Sequence, residues 1–137
     1  MFYFSKKKKS GYVVLMTILL LSAIGMAISL FLLSSGVNNA KIIIAKEQGM
    51  IARHLADACG EKALDNLRKN INYSGNESIS FTEGSCFIRT VLGTGNSNRT
   101  IQTTGTKNDI IRKEEIKINT VSPQINITSW KEVSDFE

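Results

Sequence analysis

KKKKSGYVVLMTILLLSAIGMAISLFLL, residues 6–33, decides how the rest of the chain is read. Four lysines run into Ser10 and Gly11, and an apolar stretch begins at once. Tyr12 to Leu33 is 22 residues without a charge, and the next charged residue is Lys41. At ~1.5 Å per helical residue that run covers the ~30 Å hydrocarbon core of a bilayer. Three kinds of segment share this outline: a discarded secretory signal, a permanent signal anchor, and a leader cut at a defined residue. The apolar core of a discarded signal is usually ~7–15 residues, shorter than this one. A cut within SAIGMA (22–27) leaves ISLFLLSSG at the mature N-terminus, and a cut after Gly36 demands a longer core still. The discarded signal is the weakest of the three.

The 137-residue chain carries a net charge of +5, which raises the question of a polyanionic partner. Lys6, Lys7, Lys8 and Lys9 answer it. From Asn38 onward, 13 Lys and Arg face all 12 Asp and Glu, a balance of +1. The excess is one cluster beside the apolar run, which suits the anionic cytoplasmic face of a membrane and orients the segment with its N-terminus inside. No basic stripe with interleaved aromatics follows, so nucleic acid is not expected as the primary ligand.

Beyond the apolar run, Ala45, Ala52, Leu55, Ala56, Cys59, Ala63 and Leu67 recur at helical spacing and form one stripe. The only proline is Pro123. The pattern predicts one long helix from about Tyr12 to Lys69, hydrophobic all round in its first half and amphipathic in its second. After Asn70 the texture changes to short β-type runs: SISF (78–81), SCFIRTVL (85–92), RTIQTTG (99–105) and DIIRKEEIKIN (109–119). GTGNSN (93–98) and TKN (106–108) read as hairpin links. Val91 or Leu92, Ile101, Ile110, Ile116 and Ile118 are candidates to cover the helix stripe, with Trp130 and Phe136 of the tail packing across the sheet. The fold class is α+β, a long N-terminal helix on a small antiparallel sheet. Its parts are a basic leader (1–11), a transmembrane helix (12–37), an amphipathic helix (38–70) and a β domain (71–137).

Few stretches carry chemistry. Cys59 on the helix stripe and Cys86 at the start of a strand suggest a disulfide in an exported domain, the alternative being two buried thiols. Two cysteines and the lone His54 do not make a tetrahedral metal set. His54 has only Asp57 within one turn as a polar partner, and both read as solvated. GTGNSN lacks the lysine of a phosphate loop, and RKEE (112–115) reads as a solvated edge or face. Sequons at Asn72, Asn76, Asn98 and Asn126 arise readily in Asn/Ser/Thr-rich loops. No catalytic constellation and no cofactor motif stands out, so an enzyme is not expected.

KKKKSG followed by YVVLMTILLLSAIGMAISL resembles the class III signal of type IV pilins and type II secretion pseudopilins. The following amphipathic helix and small sheet fit the same family's plan. The resemblance covers the whole chain in outline and is specific over residues 6–33. It implies a prepilin peptidase that cuts after Gly11 and leaves Tyr12 as the mature, often N-methylated, terminus. It also implies packing against other pilin subunits through the N-terminal helix, an inner-membrane assembly platform, and an extracytoplasmic C-terminal domain held by a single span. One departure bears on the role. Pilins normally carry Glu at the fifth mature position, where this chain has Met16, and the family's carboxylate pairs with a neighbouring subunit's terminal amine. A charge in an apolar bundle is costly without its partner, so losing the acid disfavours repeated stacking. Major pilins also usually bear a proline in the apolar helix, and none is present here. The pattern resembles minor subunits of the PilX type or the K-type pseudopilin, which implies a role in assembly priming or at a tip. The competing readings are a single-pass, signal-anchored binding or sensor protein and a secreted small enzyme or inhibitor.

Overall fold

The structure is a computed structural model that describes residues 8–136, with side chains from Gly11 onward. Lys6 and Lys7 lie outside the described residues, and Lys8 and Lys9 are placed only as backbone. The chain divides into two compact units, one ending at Ile43 and one running from Ile44 to Glu137.

A single helix, α1, runs from Lys8 to Lys69. No proline interrupts its hydrogen-bond ladder, and its first half is built from Leu, Ile, Val, Ala and Met. In the N-terminal unit these side chains are exposed on every side of the helix, from Tyr12 at 64% to Phe31 at 70%. Three of its hydroxyls are satisfied within the helix. Thr17 Oγ1 donates to the Val14 carbonyl at 2.8 Å, Ser22 Oγ to Leu19 at 2.9 Å and Ser29 Oγ to Gly25 at 2.8 Å. That is the arrangement an apolar solvent demands, because no water is present to accept those protons. The helix is long and apolar enough to cross a membrane. At its other end, Arg68 and Lys69 occupy the last turn, where cations suit the helix dipole, and both pair with Asp65 at 3.2 and 2.6 Å.

The second unit places residues 44–69 of α1 on a five-stranded antiparallel sheet. The strands are β1 (Glu77–Phe81), β2 (Gly84–Ile88), β3 (Ser97–Lys107), β4 (Ile110–Thr120) and β5 (Asn126–Val133), paired in chain order β1-β2-β3-β4-β5. Two-residue links close β1–β2 between Phe81 and Gly84 and β3–β4 between Lys107 and Ile110. In the second link Asn108 takes a φ of 52°, a left-handed conformation that asparagine tolerates better than most residues.

One face of the sheet meets the helix. Register sets Cys86 opposite Gly105, Ile101 opposite Ile116 and Thr103 opposite Glu114. Leu55, Cys59, Ala63 and Leu67 of the helix pack with Cys86, Ile88, Val91, Ile101, Ile116, Ile118 and Val121 into one core. The closest approach is at Gly105. A methyl group there would collide with the Ala52 carbonyl oxygen and the Ala56 amide nitrogen. Next to this contact Thr103 Oγ1 donates to the Ala56 carbonyl at 3.1 Å, and Cys59 is bonded to Cys86 with Cα atoms 6.1 Å apart. Alanine on the helix and glycine on β3 remove the side-chain bulk that would hold helix and sheet at the ordinary distance.

Several expectations are corrected. Ala45 continues the stripe in sequence but is exposed, and the buried position at that end is Gly49, beneath the Arg112 guanidinium. β2 stops at Ile88 rather than at Leu92. Residues 89–92 leave the strand, with the Val91 amide donating to Ser74 and Leu92 bridging Thr100. Val91 is buried and Leu92 exposed. RKEE is not a solvated face, because Glu114 and Glu115 are both buried. The two aromatic residues of the tail divide between the faces. Trp130 of β5 packs over the bare backbone of Gly60 on the helix side. Phe136 lies beneath Arg89 at 4.8 Å and Lys113 at 5.6 Å, and Lys113 is at a β4 position that faces away from the helix.

Gly105→Ala is expected to be among the most destabilising single changes in the sheet unit. It forces backbone apart rather than a flexible side chain, so a loss at or above the usual ~1–3 kcal/mol of overpacking should appear in thermal unfolding followed by circular dichroism. Replacing both Cys59 and Cys86 by serine should cost roughly 3 kcal/mol in the chain-entropy account of a loop of this separation. An unchanged unfolding midpoint for either variant counts against the packing described.

Candidate functional site

The residues singled out by the processing motif sit at the start of α1. Gly11 and Tyr12 lie in its first turns, and a methyl group added at Gly11 meets nothing within 4 Å. Met16 follows one turn later and is partly exposed, at 44%. From Tyr12 to Ile43 the described residues include no acid, and the first cation is Lys41. From Tyr12 to Leu33 this unit therefore offers a cylinder made mainly of Leu, Ile, Val, Met and Phe, exposed on every side. Its chemistry is limited to burial, in lipid or against other apolar helices. Each hydrophobic side chain taken fully out of water contributes on the order of 1.5–3 kcal/mol.

In the second unit, the polar groups gather at two places. The first is the turn after the helix. Arg99 is buried, and its Nη1 donates to the Ile71 carbonyl at 2.7 Å and to Gly95 at 3.2 Å, while Nη2 donates to Tyr73 at 3.1 Å. Arg99 thereby pins the 70–76 turn to the loop before β3. Tyr73 donates its hydroxyl proton to Glu77 at 2.6 Å, and burial together with that carboxylate pushes the phenol up to about 12. Asn66 of the helix also donates to Glu77, at 3.2 Å. The Arg99 contacts tie its side chain to carbonyls on both sides of the turn, and Glu77 gathers the Tyr73 and Asn66 side chains.

The second place is the helix side of β4 and β5. Glu114 is 1% exposed, accepts from Trp130 Nε1 at 2.9 Å, and has Arg53 Nε 3.9 Å away. Arg53 also approaches Glu132 at 3.8 Å, and Arg112 pairs with Glu132 at 3.1 Å. Burial pushes the Glu114 carboxyl up to about 7. The Trp130 hydrogen bond opposes the rise, the nearby Asp57 carboxyl adds to it, and Arg53 opposes it. Among these residues the sequence singles out Trp130 as an aromatic of the sheet, Arg112 and Glu114 within RKEE, and Asp57 as a neighbour of His54; Asp57 is half-buried instead of solvated. His54 itself is exposed. Strand alternation back from Ile118 and Ile116 is the signal that places Glu114 and Arg112 on the helix side.

Among the described residues no group of three or more His, Cys, Asp or Glu could hold a metal ion. The open depressions on the sheet are shallow; the larger is lined by Ile111, Arg112, Lys113, Glu132, Val133 and Ser134. No family model matches the chain, and no curated protein or solved structure is significantly similar to it.

The chemistry of the N-terminal unit gives a direct check. Placing arginine at Leu20 and Ile24 puts two charges in the middle of the apolar run, each costing about 2.5–3.5 kcal/mol at a bilayer centre. The wild-type chain should stay with membranes through alkaline carbonate extraction, and the double variant should move to the soluble or aggregated fraction. Equal retention of both overturns the membrane reading of this helix.

Proposed function

We propose that the chain is a minor pilin-like subunit, a structural component of a type IV pilus or a related secretion or DNA-uptake filament that serves in priming assembly or at a tip. The observation that carries this reading is the single uninterrupted helix Lys8–Lys69, all-round apolar in its first half and covering one face of an antiparallel sheet in its second. A plain signal anchor needs only the first half. A helix that goes on without a break to form the core of the exported domain is the layout the pilin resemblance implies.

In this reading the lysine cluster stays in the cytoplasm, prepilin peptidase cuts after Gly11, and Tyr12 becomes the mature terminus. The assembly platform then draws the helix from lipid into a bundle with the helices of other subunits, exchanging lipid contacts for protein contacts. Met16 gives that bundle no carboxylate to pair with a neighbour's terminal amine. A subunit without this pairing joins a shaft less readily and is better placed where the stacking need not repeat. The sheet unit contributes surface rather than catalysis.

The mature N-terminus tests the proposal. Intact-mass measurement on chain recovered from membranes should show a start at Tyr12, with or without one methyl group. Gly11→Ala should leave the leader in place. A wild-type chain that still starts at Met1 supports the signal-anchored protein, and a start near Ala27 or Val37 supports a secreted one. Processing that is indifferent to Gly11→Ala overturns the pilin reading.

A further inference from the structure

Glu114 is the most deeply buried acid among the described residues, and nothing around it supplies a full counter-charge. Each element packed against it contributes groups that can be counted. From α1 come Arg53 and Asp57. From β3 comes Thr103, directly opposite in register, whose hydroxyl proton is already given to the Ala56 carbonyl. From β5 come Trp130, which donates its indole proton at 2.9 Å, and Glu132, opposite Glu114 in register. On β4 itself Arg112 shares the face but is held by Glu132 at 3.1 Å.

Three carboxylates, those of Asp57, Glu114 and Glu132, thus face two guanidinium groups. Arg112 is committed to Glu132. Arg53 is 58% exposed and stands 3.9 Å from Glu114 and 3.8 Å from Glu132, beyond hydrogen-bonding distance of either. A solvent-facing cation at that range is screened and does not balance a charge in a dry interface. Asp57 and Glu114 both ionised would set two like charges together between helix and sheet. A proton on Glu114, the buried member, removes the repulsion.

We propose that Glu114 keeps a proton in the helix–sheet contact beside Asp57, and that losing it loosens the Arg53–Asp57 turn of the helix from β4 and β5. The pair is a pH-sensitive latch, and Trp130 is its outer cover. The direction follows from linkage. The folded chain keeps the Glu114 proton up to about 7, whereas the unfolded chain gives it up in the ordinary glutamate range. The stabilisation is complete at acidic pH below that range and is lost as pH rises towards and through 7.

Trp130 is the only tryptophan in the chain, and its indole proton is bonded to the titrating carboxyl, so its emission reads the latch directly. The full chain in detergent micelles, titrated from pH 4.5 to 9, should show one step in tryptophan emission with a midpoint near 7. Its melting temperature should fall by roughly 5 °C or more between pH 5.5 and 8. Glu114→Gln keeps an acceptor for Trp130 and a donor for Asp57, so it should remain folded, lose the step and show a flat melting temperature. Asp57→Asn should keep the step but move its midpoint to lower pH. His54→Gln removes the one histidine of the chain and should leave the step in place. The proposal is overturned if no step appears, if it survives Glu114→Gln, if it disappears with His54→Gln, or if Asp57→Asn leaves the midpoint unmoved.

Discussion

The backbone contact between β3 and the helix governs the sheet unit. Where Gly105 meets Ala52 and Ala56, no side chain intervenes. That closeness lets Thr103 reach the Ala56 carbonyl and lets Cys59 reach Cys86, which is the register partner of Gly105. It also fixes which residues further along must be large. Leu67 and Ile88 are among the large side chains that complete the core. A small domain has few such contacts to spare, since burial barely exceeds the entropy lost on folding. A cross-link beside the tightest contact stabilises where the packing tolerates least change.

Polar groups complete what the core leaves open, and they do so differently at the two ends of the helix-facing surface. Around Arg99 every donor shown to have a partner meets a backbone carbonyl, and the result is a fixed turn. Around Glu114 the partners are ionisable, and the balance of acids and bases is uneven. The first arrangement is insensitive to its surroundings, because an arginine keeps its proton and a carbonyl has none to lose. The second responds to them.

Much of the fold is legible in the sequence because it rests on periodic patterns. The uncharged run from Tyr12 to Leu33 and the stripe from Ala52 to Leu67 give the helix, and the Asn- and Gly-rich links give the meander. The misreadings occur where long-range geometry overrides local texture. Ala45 keeps the helical period, but the period carries no information about where the opposing sheet ends. The run RKEE looks solvated because four charges adjoin, yet alternation from Ile116 turns Glu114 to the helix, and Glu115 is buried on the opposite face. The group that hydrogen-bonds the buried Glu114 is Trp130, which is remote in sequence from it. The residues of the processing motif are legible only through resemblance, since Gly11 and Tyr12 appear simply as exposed helical residues.

The strand order of the sheet, identical to its order in the chain, has a kinetic consequence. Each strand pairs with the one just before it, so every ladder contact closes a short loop and none waits for a distant partner. The hairpins can form one after another as chain becomes free. The slow events are the two that join sequence-distant parts, seating α1 on the finished face and oxidising Cys59 with Cys86. The sheet can therefore zip up strand by strand before the helix is bound to it, and the disulfide records that the last step has taken place.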